Sequence, residues 1–96
     1  MNDGRLTEAA DPRRPGLSPG FRLQWEEVQQ AWILLYPEGM VKLNGSAGEI
    51  MKRCNGTSAV DAIVADLEAT FGEADLASDV ADFLRIASRQ GWLQWT

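Results

Sequence analysis

Three carboxylates, Asp75, Asp79 and Asp82, stand at i, i+4 and i+7, a spacing that sets them on one side of a helix. Grouped in this way, carboxylates hold a hard cation or share acid and base work. A Ca²⁺ or Mg²⁺ site usually also draws on loop carbonyls or phosphates, so a solvated acidic face is the plainer reading. Glu26-Glu27 reads as solvation of a loop. Other reactive side chains are scarce. The chain has no histidine, which removes Ser-His and Cys-His nucleophile pairs and most zinc sites. Its single cysteine, Cys54, allows no intramolecular disulfide and no thiolate cluster. On the apolar side of its helix, Cys54 reads as a small buried hydrophobe.

Charge narrows the function further. The 96 residues carry a net charge of −5. From residue 23 onward there are five basic and eleven acidic side chains, so that part stands near −6. Nucleic-acid affinity comes largely from Lys and Arg displacing counterions from phosphates, so DNA is a disfavoured partner. No apolar run approaches the length of a membrane span, and a soluble, cytoplasmic protein is expected.

Residues 1–15 read as a disordered tail, with Pro12 and Pro15 and with Leu6 its one large aliphatic side chain past Met1, and residues 16–96 as one domain. Phe21 to Glu26 alternates apolar and polar, the period of a half-buried strand. Glu27 to Gln30 is a polar loop, and Ala31 to Tyr36 an apolar central strand. Pro37 and Gly39 set a turn, after which Met40 to Leu43 resumes the sheet. This predicts a three-stranded antiparallel meander with two open edges.

Three helices follow. Ser46 and Glu49 fit a capping box, and Gly56 suits the position just past the first helix. Ser58 is the expected cap of the second, whose Val60, Ile63, Val64, Leu67 and Phe71 share one face ending at Gly72. The third, about Asp75 to Gln90, stripes Leu76, Val80, Phe83, Leu84 and Ala87 toward the core. Beside that stripe lie small residues, Ala77, Ala81 and Ser88, on the Leu84 flank. Ile86 stands with Asp79, Asp82 and Gln90 on the other. Each flank suits either packing within the domain or one wall of a peptide groove. Of the four tryptophans, Trp25, Trp32 and Trp92 read as core filling, and Trp95 as exposed or loosely docked. The order is that of an α+β, winged helix-turn-helix-like domain, three strands followed by three helices.

The stretch Leu34 to Asn44 (LLYPEGMVKLN), followed by Ala47, Glu49-Ile50, Cys54, Gly56, Ile63, Leu67 and the closing Gly91-Trp92-Leu93, resembles the PqqD family of pyrroloquinoline quinone (PQQ) biosynthesis. Arg14 to Trp25 also looks like that family's start, so the likeness spans about residues 14–94. Gly48, a weak helix former, and the long Pro/Arg tail depart from the pattern.

The resemblance implies a non-catalytic peptide chaperone with no cofactor and no metal. Its partners would be the precursor peptide PqqA and the radical-SAM enzyme PqqE, which cross-links a Glu and a Tyr of that peptide. Related domains recognise leader peptides across ribosomal peptide natural-product pathways, adding the peptide as a strand against the third strand and along the third helix. Carried onto this chain, the peptide site is Met40, Val41, Lys42 and Leu43 with Ala77, Asp79, Ala81, Asp82, Arg85, Ile86 and Arg89. Strand addition gains main-chain hydrogen bonds at an unpaired edge and needs no catalytic group. A winged-helix transcriptional regulator or nucleic-acid-binding module is the competing class, supported by fold order alone. The acidic third helix argues against it.

Overall fold

A computed structural model describes residues 11–96. The tail expected over residues 1–15 falls largely outside the described residues. The elements run β1 (Pro15–Leu17), β2 (Arg22–Glu26), β3 (Ala31–Tyr36), β4 (Gly39–Lys42), α1 (Gly45–Lys52), α2 (Val60–Phe71), α3 (Ala77–Arg89) and β5 (Leu93–Trp95).

The meander forms as its alternation dictates. β2, β3 and β4 make an antiparallel sheet with β3 in the centre. Trp25 stands opposite Trp32, their rings edge to face with centroids 5.3 Å apart. One face of the sheet, carrying Leu34, packs on the helices. Leu34, Met51, Ile63 and Val80 are the most deeply buried large side chains of the core apart from Pro15 at its margin. Losing Leu34, Met51 or Ile63 to alanine is worth about 2–5 kcal/mol, because the cavity left behind adds to the lost transfer energy.

The expected three strands are five, in two sheets. β1 pairs antiparallel with β5, placing Pro15 opposite Trp95 and Leu17 opposite Leu93. Three residues are too few to show a period, and Pro and Gly are poor strand formers, so β1 carries no local signal. Neighbours far along the chain hold it instead. The Pro15 carbonyl accepts from the Gly56 N–H at 2.9 Å, and Gly16 bridges Asn55. Ser18 is tied to the other terminus twice, its N–H to the Trp92 carbonyl at 2.9 Å and its hydroxyl to that of Gly91 at 2.7 Å.

The helices keep most of their predicted apolar faces but not their predicted N-caps. Asn44, not Ser46, caps α1, its Oδ1 accepting from the Ala47 N–H at 2.8 Å. The extended backbone that ends the sheet runs on to Asn44, so the helix starts before a Ser46 cap can act. Glu49 does not turn back to complete a capping box; it pairs with Arg53 at 2.9 Å. Arg53 also bonds Asp66 of α2, linking the two helices. α1 ends at Lys52, so Gly56 lies past its end and turns the chain, at φ +81°, toward β1. Ala59, not Ser58, stands at the N-cap of α2 and makes no side-chain bond. Gly72 closes α2 in the left-handed region as expected. Asp75 precedes α3 at φ +63° rather than lying in its first turn. The supposed i, i+4, i+7 carboxylate row is therefore broken at its first member.

Candidate functional site: an open strand edge beside an apolar groove

β4 is an edge strand. Leu43, just past its end, donates its N–H to the Trp32 carbonyl at 3.0 Å. In an antiparallel ladder alternate residues bond the neighbouring strand, so Val41, opposite Leu34, also faces inward. The intervening residues, Met40 and Lys42, direct N–H and C=O to the open side. β2, on the far side of β3, is a second free edge, with Leu23 and Trp25 turned outward by the same alternation.

Next to the end of β4 lies a groove of about 630 Å³. Trp25, Trp32, Lys42 and Leu43 line it from the sheet, Ile50 from α1, Leu67 and Phe71 from α2, and Leu76, Asp79 and Val80 from the start of α3. Phe71 is half exposed here rather than buried with its helix face. Glu49 and Glu73 add carboxylates to the wall. A smaller hollow of about 290 Å³ lies on the other side of α3, between Ala81, Leu84, Arg85 and Ser88 and the facing Val60 and Trp95.

The residues assigned to the site from sequence divide among these features. Lys42, Leu43 and Asp79 meet at the large groove. Ala81 and Arg85 line the small hollow instead. Met40 is 67% and Ile86 52% exposed. Val41 is half-buried within the ladder, and Ala77, Asp82 and Arg89 are exposed on α3. Asp82 is joined to Arg85 at 3.0 Å. The small-residue flank of α3 already has an occupant, since Trp95 donates its indole N–H to the Ser88 hydroxyl at 2.9 Å. Arg13 lies over the same ring at 5.0 Å. Trp95 is thus docked, while Trp25, expected in the core, is 41% exposed at the groove. Sequence reasoning missed Trp25, Trp32, Phe71, Glu73 and Leu76 as groove residues. Phe71, last on the apolar face of its helix and next to Gly72, carried the clearest available signal.

Cys54 is buried, its thiol donating to the Ile50 carbonyl at 3.3 Å. Burial pushes its pKa up to about 12, so the thiolate needed for nucleophilic chemistry is suppressed. Among the described residues no three metal-ligating side chains gather, and no helix is long and apolar enough to cross a membrane.

A free strand edge alongside an apolar groove defines a polypeptide-binding domain. Comparison with known proteins specifies which kind. Residues 31–93 match the family Coenzyme PQQ synthesis protein D, and the chain belongs to this PqqD family, whose role is non-catalytic. It is 43% identical over 95 residues to the PqqA binding protein of Stutzerimonas stutzeri, covering 98% of both chains. It is 47% identical over 81 residues to the PqqA binding protein of Azotobacter vinelandii, covering 83% of this chain and 88% of that one. Its fold matches the solution structure of the PqqD portion of Methylobacterium extorquens PqqCD at a TM-score of 0.67 and 30% identity, over 83% of this chain and 87% of that one. That protein is described as a functional, stand-alone recognition element for ribosomally synthesised and post-translationally modified peptides.

Proposed function

We propose that the chain is a non-catalytic peptide chaperone that takes the precursor peptide PqqA as an added strand on β4, alongside α3, and presents it to the radical-SAM enzyme PqqE in the cytoplasm. The observation that carries this reading is the open β4 edge, with the Met40 and Lys42 amides turned outward beside a groove that reaches Asp79 of α3. The relatives' shared name, PqqA binding protein, supports the choice of guest. We read the sheet and helices as a winged-helix arrangement used for peptide rather than nucleic acid. The α3 region offers Asp75, Asp79 and Asp82 against Arg85 and Arg89, the reverse of what a phosphate backbone requires. The guest runs along Met40, Val41, Lys42 and Leu43 and the Asp79 side of α3, with Asp82, Ile86 and Arg89 continuing that helix surface. Ala77, Ala81 and Arg85 serve the opposite flank.

An amide chemical-shift titration with PqqA tests the assignment. Shifts concentrated on Met40–Leu43 and the start of α3 are expected. Shifts clustered on Phe21–Trp25 would move the guest to the β2 edge. Adding PqqE to the saturated complex tests presentation: further broadening without loss of the peptide-induced shifts is expected, whereas release of the peptide would exclude it.

A further inference from the structure

The groove beside β4 is apolar in its walls and acidic on one rim. Trp32, Leu67, Phe71 and Leu76 supply the walls, and Glu73 and Asp79 stand toward α3. Glu49 is already paired with Arg53. Among the described residues, neither Glu73 nor Asp79 makes an ion pair. We infer that the guest strand seats a long cationic side chain, lysine or arginine, in this groove, with its stem on Phe71 and Leu76 and its head at Glu73 and Asp79. This rests on the strand-addition reading and names the side-chain chemistry that reading leaves open.

Alternation supplies the entry. A strand added to β4 sends every second side chain to the face shared by Val41 and Leu43, which is the groove side, and the rest to the Met40 face. A side chain entering there meets apolar surface first and carboxylates beyond it. Lysine and arginine match that sequence, burying their methylenes while the charge stays at a wet rim. An aliphatic side chain would fill the walls but crowd water from two carboxylates without replacing its hydrogen bonds. An acidic one would be repelled. Phe71 is 50% exposed and its ring already carries the Arg53 guanidinium at 5.9 Å, so it receives the stem rather than the charge.

The test is a double-mutant cycle on the full chain, read by calorimetric or fluorescence titration. A synthetic PqqA peptide is compared with versions in which each Lys or Arg is singly replaced by Gln. These are titrated into the natural chain and into Glu73→Gln/Asp79→Asn, whose fold is checked by circular dichroism. One peptide replacement is expected to weaken binding to the natural chain about tenfold or more, and to have almost no further effect on the double variant. If every replacement stays within about twofold on the natural chain, or if the double variant discriminates as the natural chain does, the cationic anchor is wrong. Should the natural chain fail to bind the unmodified peptide at all, the strand-addition reading itself falls.

Discussion

A Cβ built on Gly48 would lie 2.7 Å from Cδ1 of Trp32, so α1 and β3 approach more closely than any side chain at position 48 permits. The departure from good helix formers in this helix is therefore a packing requirement. Gly48 is buried in α1, and its bare backbone lets the helix lie on the indole that also walls the groove.

Gly48→Ala sets two effects against each other. Alanine gains about 1 kcal/mol of helix propensity, while forcing a methyl group into a packed indole costs about 1–3 kcal/mol. The overlap is with a rigid ring, so net destabilisation is expected, seen as a lower urea midpoint. PqqA affinity should fall with it, because the displaced ring belongs to the groove. Trp32→Phe in the same chain should recover part of the stability. A more stable Gly48→Ala would show that the ring shifts freely.

The two edge prolines should separate. Lys42→Pro removes an N–H turned to the open side, so PqqA binding should drop at least tenfold while the unfolding midpoint changes little. Val41→Pro removes an N–H bonded to β3 and should cost about 3 kcal/mol or more of stability. Equal loss of binding from both, with equal stability, would overturn the alternation of inward and outward amides along β4.

Trp95 closes the small sheet. Trp95→Ala loses its partly buried ring, the bond to Ser88 and the Arg13 contact, and should destabilise by about 2–3 kcal/mol. PqqA affinity should stay within about twofold, since Trp95 lies across α3 from the groove. Calorimetric titration of the folded variant reads this directly.

Cys54 gives a pH signature. Its pKa in the fold is raised from 9.0 to about 12 by burial. The stability contributed by the neutral thiol is complete below pH 9 and is lost as pH rises toward 12. Between those limits the natural chain should lose about 1 kcal/mol per pH unit more than Cys54→Ala. Denaturant titrations of both chains at pH 8 and pH 10.5 check the difference. In the native state at pH 8 the thiol should resist a disulfide reagent until urea unfolds the chain.

Local chemistry by itself determined much of this protein. The 3.6-residue period of Val60 to Phe71 and its Gly72 stop predict α2, and the alternation of Phe21 to Glu26 and the Pro37 turn predict the meander. These signals are read within a few neighbouring residues, where backbone sterics and one-sided burial act. The β4 edge and the acidic character of α3 were legible for the same reason. Tertiary structure alone decided the rest. β1 exists because Pro15 and Gly16 meet Trp95, Gln94 and Asn55, contacts between segments far apart in the chain that no local pattern encodes. Asn44 became the cap because the sheet delivers an extended backbone there. The groove took its walls from three helices and a sheet, so Trp25 and Phe71 stayed partly exposed where their own elements promised burial. A residue's periodicity shows which way it points; whether anything meets it there depends on elements distant in the chain.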